Sequence, residues 1–320
     1  MRLGEQIVVT GAGGFIGQEA CATLLQGGHA VQALARRPFT LPAGQPPGLT
    51  IRLVEDLATV DRLEDLLAGA EAVIHLAARV HRLSEKAGVA AQAYERDVQM
   101  TKALALAAQR AGVRRLVYLS SIKALADRSP DGALARNSVP HPVDPYGRSK
   151  LAAERELAAI SSATGLQVIV IRPPLVYGSG ASANFRQLVR WVGRGVPLPL
   201  ASVQNRRSIV SVDNLADFIV RCLGPIDETF NIFHVSDPEP VSTPQLLRYV
   251  AAALGVPARL FGVPTSVLKS VCALIGRSDL AARLLLSLEF ETQDSFAALA
   301  WRPGTTTREG ILRAVRGMRF

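Results

Sequence analysis

The run Gln6-Ile7-Val8-Val9-Thr10 is apolar and β-branched, and it passes directly into Gly11-Ala12-Gly13-Gly14-Phe15-Ile16-Gly17. A helical pattern follows through Leu24 and Leu25. Glycines at this spacing, with a strand before and a helix after, leave few folds open. The glycines permit the tight turn and let the backbone approach a pyrophosphate. The helix start adds free N–H groups and a positive dipole end. The segment therefore reads as the dinucleotide turn of a parallel α/β sheet, against the plainer reading of a glycine-rich turn with no ligand.

Alternating elements extend this pattern. Strands are expected at His29 to Ala35, Ile51 to Val54, Ala72 to Leu76, Arg115 to Leu119 and Gln167 to Ile171. Between them lie helices at Val60 to Leu67, at Ala90 to Ala111 and from Pro145 onward. Such alternation predicts a doubly wound parallel sheet of the Rossmann type. The second strand ends in Ala35-Arg36-Arg37. An NAD site usually places a carboxylate there for the ribose 2′-hydroxyl, whereas guanidinium groups suit a 2′-phosphate. Arg36 and Arg37 thus favour NADP(H), with NAD(H) the alternative. Ala77 and Ala78 are small residues at a strand end where a flat ring fits, and His75 reads as a core histidine.

Composition narrows the class. Apolar residues make up 48% and charged residues 20%, which fits a globular chain of 320 residues. The net charge of +9 comes from 31 Arg and five Lys scattered without a dense basic run, so a nucleic-acid partner is not expected. Cys21, Cys222 and Cys272 are far apart and suggest neither a metal site nor a disulfide framework. A strand starting at Ile7 leaves no room for a signal peptide, and no apolar stretch approaches the roughly 20 residues of a membrane span. A cytoplasmic protein is expected. The longest apolar candidate, Val267 to Ile275, contains Lys269 and Ser270 and reads as an amphipathic helix.

The chemistry is expected at Asp144-Pro145-Tyr146-Gly147-Arg148-Ser149-Lys150. Asp144 suits a helix cap and Pro145 the first helical position. Tyr146 and Lys150 then share one helical face, a turn apart. A free phenol has a pKa of about 10, and a nearby ammonium favours the phenolate and brings it toward the range of acid–base catalysis. Ser120-Ser121 follows the strand at Arg115 to Leu119, at the sheet end where ligands collect.

Taken together, these elements resemble the extended short-chain dehydrogenases/reductases, in particular the NAD-dependent epimerase/dehydratase group. The likeness spans nearly the whole chain. It is carried by Thr10-Gly11-x-x-Gly14-x-x-Gly17, Asp56-Leu57, His75-Leu76-Ala77-Ala78, Leu119-Ser120-Ser121, Tyr146-x-x-x-Lys150 and Arg172-Pro173-Pro174-Leu175-Val176-Tyr177-Gly178. The resemblance implies Tyr146 as acid/base, Lys150 on the nicotinamide ribose and lowering the tyrosine pKa, and Ser121 on the reacting oxygen, with Ser120 as runner-up. It implies cofactor contacts from Gly11, Gly14, Phe15, Ile16, Gly17, Asp56, Leu57, Leu76, Ala77, Ala78 and Pro173. Asn184-Phe185 and Asn205-Arg206-Arg207-Ser208 look like the elements holding a substrate diphosphate, with Asn184 and Arg207 the leading ligands. A homodimer through the helices at Ala90–Ala111 and Pro145–Thr164 is also implied.

A nucleotide-binding domain is expected over residues 1–178, with 208–234 returning to it, and a mostly helical substrate cap over 179–320. Departures from the family pattern matter too. Asp97 stands where many relatives carry Asn, and Ile122-Lys123 replaces the usual residues after the serine, without the acidic pair of dehydratases. The likeness is to bacterial surface-polysaccharide enzymes acting at C4 of a UDP-sugar. With Arg36 and Arg37, a 4-keto-sugar reductase is favoured over a 4-epimerase, and a non-catalytic NADP-sensing protein is a third reading.

Overall fold

The computed structural model describes residues 5–42, 44–78, 87–130, 132–181 and 183–318, without the side chains of 87–90, 183–184 and 278–279. Seven strands form one wholly parallel sheet: β1 (Gln6–Thr10), β2 (Ala30–Ala35), β3 (Leu49–Leu53), β4 (Ala72–His75), β5 (Arg115–Leu119), β6 (Gln167–Arg172) and β9 (Phe230–His234). Their spatial order is β3-β2-β1-β4-β5-β6-β9. The order reverses between β1 and β4, so the crevice beyond their carboxyl ends is the switch point where such sheets bind ligands.

Both faces of the sheet are covered. On one, α1 (Phe15–Gln26) and α6 (Val212–Arg221) bury Leu24, Leu215 and Phe218 against Val9, Ile74 and Ile169. On the other, α2 (Leu63–Leu67), α3 (Ala87–Arg110) and α4 (Pro145–Thr164) bury Leu67, Leu104 and Leu157 against Val8, Val73 and Val168. Strands buried on both faces carry the continuous apolar runs visible in the sequence.

Beyond β6 the regular pattern breaks at Pro173-Pro174, which have no N–H to donate to a ladder. The chain then forms β7 (Leu175–Tyr177), α5 (Ala183–Gly193) and β8 (Ile209–Ser211). β7 and β8 pair with each other as a separate two-stranded sheet, so of the returning stretch 208–234 the part at β8 does not enter the main sheet. In contrast, α6 packs on α1 and β9 becomes the edge strand beside β6. A further cluster joins α5, α7 (Thr243–Leu254), α9 (Ser278–Leu285) and α11 (Thr307–Arg316), through Phe185, Leu247, Leu285 and Ile311. The remaining helices are α8 (Thr265–Leu274) and α10 (Gln293–Ala298). Among the described residues no helix is long and apolar enough to cross a membrane.

Two histidines are locked inside. His75 has Nδ1 2.7 Å from the Thr10 hydroxyl and Nε2 3.2 Å from that of Thr101, the satisfied core histidine expected from its strand. His234, at the end of β9, packs edge-on against Phe290. Burial pushes His75 down to about 3 and His234 to about 4. Each is neutral when folded and takes a proton when unfolded, below the ordinary value of about 6.5. Stability should therefore fall as pH drops from about 6.5 toward 4, by about 1.4 kcal/mol per pH unit for each histidine. Urea denaturation between pH 5 and 7 measures this, and His75→Gln should flatten the slope by one histidine's share. An unaltered slope in that variant would refute the assignment.

Candidate active site

The glycine turn is held by contacts that only glycine permits. Gly11 has φ +70, and a Cβ there would sit 2.7 Å from the Ala77 nitrogen just beyond β4. A Cβ on Gly17 would overlap the Gly11 carbonyl, so the first turn of α1 lies directly on the loop. Gly14 caps α1 without any side-chain bond, which leaves the helix N–H groups facing the crevice for an anion. This arrangement fits a dinucleotide pyrophosphate. Phe15 and Ile16 open the helix, and the Phe15 ring lies against Gly178 and Gly180 on the cap side. Leu76, Ala77 and Ala78 continue from β4 beside the turn, with the Leu76 N–H donating to the Thr10 carbonyl at 3.2 Å.

At the end of β2, Arg36 and Arg37 are exposed and make no hydrogen bond or ion pair among the described residues. Asp56 caps the short turn Leu57–Thr59 by accepting from the Ala58 N–H at 2.9 Å, and it also pairs with Arg96 of α3. Leu57 is buried beneath it. Pro173 is buried at the end of β6, and its carbonyl accepts from the Ile122 N–H at 2.9 Å, tying β6 to the Ser121 turn.

Helix α4 starts as its sequence dictates. Asp144 accepts from the Gly147 N–H at 2.6 Å, Pro145 occupies the first turn, and Gly165 closes the helix at φ 75. Tyr146, Lys150 and Glu154 then recur every four residues along one face. Glu154 forms a buried two-pronged pair with Arg172, at 3.0 and 2.6 Å, and accepts from the Ser120 hydroxyl. Ser120 is thus turned inward to a structural bond. Ser121 instead hydrogen-bonds Tyr146. Its oxygen also accepts from the Lys123 N–H at 3.2 Å, which leaves its own proton free to donate toward the tyrosine.

Lys150 is buried, with Nζ 3.1 Å from both the Tyr118 hydroxyl and the Leu119 carbonyl. Burial lowers its pKa to about 8, opposed by the carboxylates of Asp97 and Glu154. Tyr146 behaves otherwise than its spacing suggests. Burial pushes the phenol up to about 12; the Ser121 bond works against this, and Asp144, Tyr94 and Asp97 add to it. Lys150 lies 5.9 Å from the ring centre and does not bring the phenol down. The expected depression of the tyrosine pKa is therefore corrected. Desolvation of the hydroxyl outweighs the ammonium, and Tyr146 is a protonated acid at neutral pH.

Several roles at the site escaped the sequence reading. Glu154 was available from the four-residue spacing. Asp97 faces the Tyr146–Lys150 pair from α3 and disfavours the phenolate. Lys123 bridges Asp127, at 3.0 Å, and Asp144, joining the Ser121 turn to the start of α4. At the same junction, a Cβ on Gly147 would overlap the Lys123 carbonyl.

On the cap side, Asn205 is fully committed, bonding the Thr243 hydroxyl and the Leu284 and Leu286 carbonyls. Arg206 forms a two-pronged surface pair with Glu289 at 2.7 and 2.9 Å. Arg207 donates to the Leu286 carbonyl at 2.9 Å, and burial, helped by the like charge of Arg283 on α9, lowers its pKa. Two guanidinium groups close enough to feel each other's charge are a donor set that suits a phosphate. Arg283 could not be found from spacing, because the fold brings it there from 76 positions away. Phe185 is buried against Tyr177, while the side chain of Asn184 lies outside the described residues.

Turn, switch point and tyrosine–lysine–serine group together define a nucleotide-dependent enzyme built on a doubly wound sheet. Comparison with known proteins gives the family. Residues 7–233 match the model of the NAD dependent epimerase/dehydratase family, and the chain belongs to it. It is 34% identical to a UDP-glucose 4-epimerase of Vibrio cholerae over 97% of this chain and 94% of that protein. Among solved structures, MoeE5 in complex with UDP-glucose and NAD superposes with a TM-score of 0.78 at 26% identity over 98% of both chains. The UDP-N-acetylglucosamine 4-epimerase of Bacillus cereus has the same fold, with a TM-score of 0.79 at 19% identity over 99% of this chain and 100% of that one.

The contact at Gly147 yields a prediction. Gly147→Ala should push α4 off the Ser121 turn, lowering stability by about 1–3 kcal/mol and turnover by ~100-fold. Thermal melting and steady-state kinetics read the two effects. Wild-type values for both would show that the segments are free to separate.

Proposed function

We propose that the protein is a nucleotide-sugar 4-epimerase acting on a UDP-linked hexose or N-acetylhexosamine. The observation that carries this reading is the match along almost the whole chain to the Vibrio cholerae UDP-glucose 4-epimerase. MoeE5, whose structure holds UDP-glucose and NAD, supports the same ligands. The nicotinamide supplies oxidation and re-reduction at the sugar carbon when bound. Tyr146 exchanges one proton with the sugar oxygen, taking it as phenolate when the alcohol becomes a ketone and returning it as phenol. Ser121 donates a hydrogen bond to that oxygen, and Lys150 would hold the nicotinamide ribose beside it. Gly11, Gly14 and the start of α1 take the cofactor pyrophosphate; Arg207 and Arg283 take the substrate diphosphate.

Arg36 and Arg37 support a second reading, an NADPH-consuming reductase of 4-keto-sugars in surface-polysaccharide synthesis. Both are exposed and unpaired among the described residues, as a 2′-phosphate site requires. A homodimer through α3 and α4, in a cytoplasm whose reducing conditions suit the free Cys21, Cys222 and Cys272, completes the proposal. Sedimentation at a dimer mass would support that assembly.

Two assays separate the readings. Incubation with UDP-glucose or UDP-N-acetylglucosamine and catalytic NAD should produce the C4 epimer, detected by NMR. Consumption of NADPH with a UDP-4-keto-6-deoxyhexosamine, and no epimer, would replace the epimerase with the reductase. Absence of turnover in both, with cofactor still bound, would favour a sensing protein. Tyr146→Phe should reduce turnover by ~10²–10⁴-fold and leave cofactor binding intact.

The substrate clamp is tested separately. Arg207→Ala and Arg283→Ala should each raise KM by ~10–100-fold with a smaller change in kcat, since each removes bonds to a charged group made in ground and transition states alike. Arg206→Ala, which breaks a surface pair, should change KM by less than about threefold. Equal effects at Arg206 and Arg207 would overturn the assignment.

A further inference from the structure

The cap surface between Phe261 and Ile275 differs from the rest of the molecule. Ten large apolar side chains are exposed among the described residues, and five of them fall here: Phe261, Val267, Val271, Leu274 and Ile275. Positions 267, 271, 274 and 275 follow helical spacing and form one stripe along α8. Leu268 and Cys272 pack on the cap cluster from the neighbouring face, so α8 is seated while its apolar stripe looks outward. Leu274 is 86% and Ile275 64% exposed. A contiguous patch of this kind marks an interaction surface, whereas isolated apolar residues do not.

Charge decides what covers it. From Pro240 to Ser278 the chain has no Asp or Glu, but it carries Arg248, Arg259, Lys269 and Arg277. All four are exposed, and none makes an ion pair among the described residues. The adjoining strip is similar. Leu198 pairs with Leu260, and no acid occurs between residues 157 and 212, where Arg190 and Arg194 are exposed. A second copy of this surface would set these cations against one another with no carboxylate to answer them. An anionic bilayer answers both features, taking the apolar stripe at the acyl boundary and the cations among its phosphates.

We propose that α8 docks the protein on an anionic lipid surface, lying in the interface without crossing it. The full chain should co-sediment with vesicles of equal parts phosphatidylglycerol and phosphatidylcholine, weakly with phosphatidylcholine alone, and less as salt is raised. The double variant Val271→Glu, Leu274→Glu should lower the bound fraction by about tenfold or more, because it places charge in the buried stripe. Its melting temperature and its turnover of soluble sugar nucleotide should stay those of the parent. Lys269→Glu with Arg277→Glu provides an independent arm, reducing binding to the anionic vesicles alone. Equal binding to both vesicle types, or undiminished binding by either variant, overturns the proposal. So does a wild-type dimer that ignores vesicles and that the double variant dissociates, which would make a second copy the occupant.

Discussion

A single buried ammonium organises the site. Lys150 sits where water cannot solvate its charge, and an unsatisfied buried charge is too costly to persist. The fold answers it with the Tyr118 hydroxyl, the Leu119 carbonyl and the fields of Asp97 and Glu154. These groups come from β5, α3 and α4, so satisfying one side chain fixes three elements relative to each other. The buried Glu154–Arg172 pair then locks α4 to β6. Removing one partner of such a pair leaves its charge stranded, which makes the angle of α4 a rigid property of the core. Tyr146 inherits its position from that angle.

The same desolvation that makes Lys150 demanding also governs the tyrosine. Burial opposes ionisation of both, holding the ammonium weakly and the phenol firmly protonated. Accordingly, the resting site is a proton donor backed by a cation close to its own titration point. Small electrostatic changes in the crevice move such a pair further than they would move solvated groups, because the low dielectric screens them less. Asp97 is notable here, since a carboxylate at this place steadies the lysine and resists the phenolate.

Much of this was legible in residue order. The glycine spacing predicted a tight turn between β1 and α1, and the structure has one, with Gly11 in a left-handed backbone and Gly17 against the loop. Asp144-Pro145 predicted the start of α4 to the residue. Ser121 was preferred over Ser120, and the two serines do diverge, one toward Tyr146 and one toward Glu154. What could not be read depends on depth and on distant chain. Spacing placed Lys150 a turn from Tyr146 but carried no information on how far the hydroxyl is desolvated, so the direction of its shift was misjudged. The charge of Arg283 is felt at Arg207 only because the fold brings α9 near a residue 76 positions earlier. The pairing of β8 with β7 likewise follows from where Pro173-Pro174 send the chain, which no local pattern encodes.

The position of β9 has a consequence for how the chain is made. β6 ends at Arg172, yet its outer neighbour, Phe230–His234, emerges from synthesis only after β7, α5, β8 and α6. Until then the edge of β6 shows bare amides and carbonyls flanked by Val168, Val170 and Ile171, a template for wrong pairing. Parallel strands with long crossovers also close slowly, because loop entropy is lost before any contact repays it. A nascent chain that ends short of residue 230 therefore presents an unpaired edge at β6, the kind of surface a holding chaperone would cover.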